Sequence, residues 1–81
     1  DLLTNQIRFH DLQWLVPVEG KDSLDVKLCQ WGHKYPAVKV EVHTAILGVS
    51  ARAPAPGQII VFYRGNEVVG SAVIDRWEKE W

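Results

Sequence analysis

The feature that most constrains this chain is a pair of apolar runs joined by a four-residue turn segment. Residues 59–63 form a continuous β-branched and aromatic run, too short for a helix and typical of a strand. The next four residues favour a turn, and residues 68–74 return as a second run. We therefore predict a β-hairpin whose first strand is central in a sheet and covered on both faces.

Alternating patterns predict two further strands upstream of this hairpin. Residues 24–31 have the period of a half-buried strand, and their apolar face is Leu24, Val26 and Leu28. After a connection at residues 32–35, Pro36 opens a second alternating run, because proline is tolerated at the start of a strand. The predicted core face of this second run is Val38, Val40 and Val42.

Weaker patterns predict two more strands, at residues 5–10, with Ile7 and Phe9 on one face, and at residues 45–50. Residues 52–57 indicate an irregular connection, and Pro56-Gly57-Gln58 is predicted to form a tight turn that enters the strand at 59–63. Residues 75–81 lose the alternation and are predicted to form a tail. Gly70, Ser71 and Ala72 place three small side chains within a strand, where they permit a bend or a close backbone approach.

These elements amount to five or six short strands without a convincing helix. They predict an all-β fold, a small closed or partly open antiparallel β-barrel of about six strands, because closure removes exposed sheet edges. A β-sandwich is the structural alternative. With 81 residues there is room for one domain at 1–81, built around one core.

Composition limits the function classes and the setting. A net charge of −1 gives no whole-domain field for nucleic acid, so any RNA contact must be local. No run approaches the ~18 apolar residues of a membrane helix, and no signal peptide is visible, so we expect no membrane partner. The single cysteine, Cys29, fits a reducing, cytoplasmic setting. A chain that begins with Asp1 and lacks methionine predicts the excised domain of a larger protein.

The sequence offers no candidate catalytic, cofactor-binding or metal-binding residues. Cys29, His33 and His43 are zinc-type ligands, but they lack a fourth ligand and the usual tightly spaced pairs. Cys29 has no evident base to lower its pKa, and it is predicted to be inert. No phosphate loop is present, since Gly65 and Gly70 belong to the predicted hairpin rather than to a strand-to-helix turn.

The remaining candidates are contact residues. Trp14 follows Phe9 and Leu12 closely and is predicted to plug the core. Three other tryptophans are candidates for a protein interface, where this residue is common: Trp31, Trp77 and Trp81. Four scattered cations are candidates for phosphate contact or domain docking: Lys27, Lys39, Arg52 and Arg64.

Several segments resemble the C-terminal barrel domain of bacterial-type tRNA-specific 2-thiouridylases. They are Pro56-Gly57-Gln58 with the apolar run 59–63 and Val69-Gly70, the upstream segment 9–15, and residues 26–28. The chain departs from the family pattern at Cys29-Gln30, where the family commonly has Arg-Tyr. It departs again at residues 70–72, where a glycine run is shortened but small side chains are kept.

The resemblance implies a parent enzyme that uses ATP to adenylate the wobble uridine of tRNA and replaces its 2-oxygen by persulfide sulfur. The ATP loop and both catalytic cysteines of that family lie in upstream domains, and Cys29 matches neither cysteine. We therefore expect a non-catalytic accessory barrel, without a cofactor of its own, whose partners are the upstream catalytic domain and, through the parent, tRNA. The alternative is a protein-interaction barrel that uses exposed tryptophans.

Overall fold

The computed structural model describes residues 3–19, 23–28, 33–52 and 56–78. It has six strands: β1 (Leu3–Trp14), β2 (Leu24–Lys27), β3 (Lys34–Val40), β4 (Thr44–Arg52), β5 (Ile59–Arg64) and β6 (Glu67–Glu78). They pair in the order β1-β4-β3-β2-β5-β6 and close into a barrel in which every pair is antiparallel. The predicted six-stranded barrel is confirmed, and the sandwich alternative is wrong. None of the described residues forms a helix that could cross a bilayer.

Five of the six strands supply buried apolar side chains to the barrel interior, and β3 supplies partly buried side chains that pack against them. At its centre, the rings of Phe9 and Phe62 meet edge to face, with centroids 5.6 Å apart. Alternation explains which residues point inward in β1, β2 and β5, as the sequence predicted. The buried apolar side chains are Ile7, Phe9, Leu24, Val26, Leu28, Ala45, Leu47, Ala51, Ile60, Phe62, Val69, Ala72 and Ile74.

The β5–β6 hairpin is confirmed, with one correction. Gly65 and Asn66 form its turn, and Gly65 has a φ of 65°, which glycine adopts without steric cost. Ile60 is fully buried, whereas Ile59 is 50% exposed on the opposite face. The prediction that β5 is covered on both faces is therefore wrong, because nothing in the described barrel packs over Ile59 as the core packs over Ile60.

A tight turn at residues 56–58 leads into β5, as predicted. The backbone N–H of Gly57 donates to Ile74 O at 2.8 Å, and the N–H of Ile74 donates to Gln58 O at 2.7 Å. These two bonds tie the turn to β6. The predicted irregular connection at 52–57 is shorter than expected, because β4 continues through Arg52, and residues 53–55 lie outside the described residues.

The predicted tail at 75–81 is wrong for its first four residues, because β6 continues to Glu78. Arg8 lies opposite Arg76 and Phe9 lies opposite Ile74, so Asp75 is an extra residue in β6. Such a β-bulge breaks the alternation of side chains, which is why the sequence pattern is lost at this point. Residues 79–81 lie outside the described residues.

The predicted core face of the third strand is wrong at two of its three positions. Val38 and Val42 are 68% and 67% exposed, and only Val40 packs against the core. Ala37 lies opposite Leu47 and Lys39 lies opposite Ile46, which leaves Val38 as the extra residue of a bulge. Before the bulge, Tyr35 and Ala37 point inward instead of the predicted face, and the bulge restores the predicted orientation at Val40. Val42 lies beyond the end of β3.

The ends of β2 and β3 also differ from the predictions. β2 ends at Lys27, although Leu28 is buried beyond its end, and residues 29–31 of the predicted strand lie outside the described residues. β3 begins at Lys34, so residues 34 and 35 are strand rather than connection. Pro36 accordingly lies inside β3, opposite Asp25.

Trp14 covers one end of the core, as its predicted role as a plug suggests, but it is 40% exposed rather than enclosed. The centroid of its ring lies 5.2 Å from the centroid of the Phe62 ring, and the ring lies directly over Gly70. A Cβ atom at Gly70 would lie 2.5 Å from Trp14 Cε3 and 2.9 Å from Gln13 O. The absence of a side chain at this position is therefore a steric requirement.

Candidate functional site

In the described residues, the barrel interior is lined almost entirely by apolar groups. Thr4 is the buried polar residue of the described chain, and its hydroxyl both donates to Gln6 O at 3.0 Å and accepts from Gln6 N–H at 3.1 Å. Among the described residues, no buried side-chain polar atom lacks a hydrogen-bond partner. Contacts made by the described barrel therefore involve its outer wall and its ends.

The described residues do not fit a nucleotide or a metal ion. Gly65 lies in a hairpin turn and Gly70 lies beneath Trp14, so neither glycine precedes a helix as a phosphate cradle requires. No cluster of three potential metal ligands occurs in the described part of the chain. His33 and His43 flank β3 at its two ends, roughly 20 Å apart by the rise of a strand, so they cannot share one ion. Cys29 lies outside the described residues.

Lys27 lies on the outer wall of β2, directly opposite Lys34 on β3. The Nζ of Lys34 lies 4.6 Å from the centroid of the Tyr63 ring, a cation–π contact. The same ammonium donates to Gly65 O at 3.1 Å and to Asn66 Oδ1 at 3.2 Å. β3 is thereby connected to the tip of the β5–β6 hairpin across the intervening β2.

We call the surface formed by Lys27, Lys34, Tyr63 and Asn66 the lysine face. Lys27 is one of the cations predicted from the sequence, whereas Lys34 is not, because residues 32–35 were predicted to form a connection. No local pattern contains the signal, since Lys34 and Asn66 are far apart in the sequence and meet only through the strand order.

Two of the other predicted cations, Arg64 and Lys39, do not join the lysine face. Arg64 donates from Nη1 to Pro17 O at 3.3 Å and from Nη2 to Glu67 Oε1 at 3.1 Å, so it ties the β1–β2 connection to the hairpin. Lys39 lies near the other end of β3, where its Nζ is 3.8 Å from Glu41 Oε1. Arg52 is the last residue of β4, opposite Leu3.

Lys39 also borders a shallow groove of about 170 Å³ at the end of the barrel that Trp14 covers. Val18, Leu24 and Val40 contribute apolar surface to this groove, and Glu19 adds a carboxylate. The groove therefore has mixed polarity and one charge of each sign.

Of the predicted interface tryptophans, the structure describes one, and that residue is not freely exposed. Trp77 lies opposite Ile7 and packs, partly buried, against the core cluster. Trp77 is thus partly covered within the chain, because β6 extends through this residue beside β1. Trp31 and Trp81 lie outside the described residues.

A second polar cluster, which was not predicted from the sequence, lies where β1 and β6 both bulge. His10 Nδ1 pairs with Asp75 Oδ1, and His10 Nε2 lies 3.8 Å from Asp11 Oδ2. Asp11 has a positive φ of 56°, which is uncommon for a residue with a side chain. The cluster links the two bulged strands on the outer wall.

Residues 4–74 of the chain match the family described as the aminomethyltransferase beta-barrel domain. The chain belongs to this family. It is 32% identical over 84 residues to the tRNA-specific 2-thiouridylase MnmA of Limosilactobacillus reuteri, an alignment that covers 93% of the chain and 22% of that relative. A second MnmA, from Limosilactobacillus fermentum, is 65% identical over 26 residues, or 32% of the chain and 7% of that relative.

This family membership confirms the resemblance to the barrel domain of tRNA-specific 2-thiouridylases. The matched residues, 4 to 74, include parts of all six strands. The chain spans about a fifth of the length of the L. reuteri relative, which is 22% covered.

Proposed function

We propose that this chain is a non-catalytic accessory barrel of a cytoplasmic, ATP-dependent tRNA wobble-uridine 2-thiolation enzyme. The observation that carries the proposal is the alignment with a tRNA-specific 2-thiouridylase, which includes 93% of this chain but 22% of the relative. On this proposal, ATP binding and sulfur transfer belong to an upstream catalytic domain of the parent, and the barrel packs against that domain or helps to place tRNA.

The composition of the barrel interior favours a structural role over a catalytic one. The buried side chains are apolar apart from Thr4, whose hydroxyl is occupied by Gln6. General acid–base or nucleophilic chemistry requires titratable groups held in a sheltered site. The described interior supplies a rigid packed core instead.

The test compares the parent chain with and without a functional barrel in a bacterial strain that lacks its own 2-thiouridylase. The intact parent is expected to restore 2-thiouridine in tRNA, measured by mass spectrometry of digested nucleosides. Deletion of the barrel is expected to lower the 2-thiouridine level while ATP binding by the remaining protein persists. A folded, intact parent that restores no 2-thiouridine contradicts the proposal.

The 81-residue chain alone supplies the complementary test. It is expected neither to bind ATP in calorimetry nor to thiolate tRNA, because the proposal places both activities elsewhere in the parent. Turnover by the purified chain would show that the barrel is itself an enzyme. In the parent, Cys29→Ser is expected to leave thiolation nearly intact, and loss of thiolation in a folded variant would assign Cys29 a catalytic role.

A further inference from the structure

We propose that the lysine face is the surface through which this barrel contacts the phosphate backbone of tRNA. The inference rests on the proposed function and deepens it, because it selects one face of the barrel and adds Lys34 and Asn66 to the contact residues.

The first step is the pairing of two like charges. Lys27 and Lys34 are direct partners on neighbouring antiparallel strands, an arrangement that normally destabilises a sheet. Among the described residues, no carboxylate forms an ion pair with either lysine, and Asp25 on the same wall lies opposite Tyr63. An anion that binds between the two ammonium groups relieves their repulsion, as a phosphate group does at nucleic-acid interfaces.

The second step is the orientation of hydrogen-bond donors. A lysine ammonium only donates, so the amide oxygen of Asn66 must face Lys34, and the two Nδ2 hydrogens point away from it. The ammonium of Lys34 has three hydrogens, of which Gly65 O and Asn66 Oδ1 accept two. The remaining donors are complementary to phosphate oxygens, which accept bonds from lysine and asparagine side chains.

The third step is a comparison with the other cations. Lys39 lies next to Glu41, and Arg64 is paired with Glu67, so both are partly neutralised within the chain. Lys34 is instead held by neutral groups, the Tyr63 ring and the hairpin tip, which position its charge without cancelling it. The lysine face is therefore a local basic surface on a chain whose net charge is −1.

The test uses the full-length parent and measures tRNA dissociation constants across a salt series. Replacing both lysines (Lys27→Gln with Lys34→Gln) is expected to reduce the slope of log K against log salt by roughly 1.4 to 1.8, for two lost phosphate contacts. At 0.1 M salt, that change in slope corresponds to binding weakened roughly 25- to 60-fold. The KM for tRNA should rise while kcat at saturating tRNA stays unchanged.

Three further variants separate charge from structure. Lys39→Gln removes the same charge from the same strand and is expected to change the dissociation constant less than about twofold. Lys34→Arg keeps the charge and should keep the salt slope. Asn66→Ala removes a neutral donor, so it should weaken binding while the slope stays unchanged.

The outcomes distinguish this inference from the proposed function. If the wild-type parent thiolates tRNA but the double variant keeps its affinity and salt slope, the lysine face does not contact RNA. If Lys39→Gln weakens binding as much as the double variant, the effect is one of overall charge and the assigned face is wrong. A wild-type parent that forms no 2-thiouridine contradicts the proposed function instead.

Discussion

The β5–β6 and β3–β4 hairpins are both built from alternating apolar sequences, yet they pack in opposite ways. In the first, Phe62 and Val69 are fully buried. In the second, Val38 and Val42 are mostly exposed, although their spacing is that of a core face. Hydrophobicity is similar in the two hairpins, so it does not account for the difference.

The difference lies in the position of each bulge relative to the apolar side chains. In β3 the extra residue is Val38 itself, which is displaced from the ladder between Ala37 and Lys39. In the β5–β6 pair, the register shifts between Phe62 and Tyr63, next to the turn, where few residues remain to be displaced. The bulge in β3 changes which residues point inward, from Tyr35 and Ala37 before it to Val40 after it, so Val38 falls outside the core. Val42 lies beyond the end of β3, whereas the bulge beside the β5–β6 turn leaves the core face of β5 intact.

The largest effect is expected for truncation at the centre of the buried hairpin. Phe62→Ala removes a ring that contacts both Phe9 and Trp14, and it should lower the free energy of unfolding by about 3 to 5 kcal/mol. The matched change in the exposed hairpin, Val42→Ala, should stay within about 0.5 kcal/mol. Urea denaturation followed by tryptophan fluorescence measures both values. Equal effects would remove the distinction between the hairpins.

A smaller effect is expected from adding one methyl group to a glycine in each hairpin. Gly70→Ala drives a Cβ atom into Trp14 and Gln13 O, and it should cost about 1 to 3 kcal/mol. In Gly48→Ala, the added Cβ atom would lie 3.2 Å from Cγ1 of Val38, an exposed side chain that is free to move. Gly48→Ala should therefore be nearly neutral. If Trp14→Leu does not relieve the cost of Gly70→Ala, the close approach to the Trp14 ring is not its cause.

An isosteric change of valine to threonine tests burial without changing volume. Val69→Thr places a hydroxyl among core side chains and should cost about 1 to 3 kcal/mol if the hydroxyl is left unpaired. Val38→Thr places the same hydroxyl in water and should change stability by less than about 0.5 kcal/mol. Thermal melting of the two variants gives the comparison directly. A large loss for Val38→Thr would mean that another part of the protein covers that side chain.

The smallest effect is expected for the cations of the two hairpins. Arg64→Gln breaks the contacts with Pro17 O and Glu67 and should cost no more than about 1 kcal/mol, because exposed ion pairs contribute little. Lys39→Gln should have no measurable effect on stability. Hydrogen exchange at residues 15–19 provides a second measurement, since loss of the Arg64 bond should increase exchange there. Unchanged exchange would mean that Arg64 does not hold this connection.

The sequence by itself determined the strands and faces wherever alternation is unbroken. Ile7 and Phe9, the apolar face of β2, and the β5–β6 hairpin were all predictable, because burial on one side of a strand imposes a two-residue period. The turn at Pro56 and Gly57 was predictable for a different reason: proline and glycine favour turns through their own backbone conformations, which do not depend on distant residues. The candidate contact residue Lys27 could be placed on the outer wall by alternation alone.

The tertiary structure alone decided the bulges, the strand order and the position of Lys34. The extra residues Val38 and Asp75 follow from fitting twisted strands around a closed barrel, which depends on partners far away in the sequence. β2 pairs with both β3 and β5, and this order brings Lys34 to Tyr63 and Asn66. Periodicity reports which side of its own strand a residue occupies, but only closure of the barrel determines which other strands lie beside it.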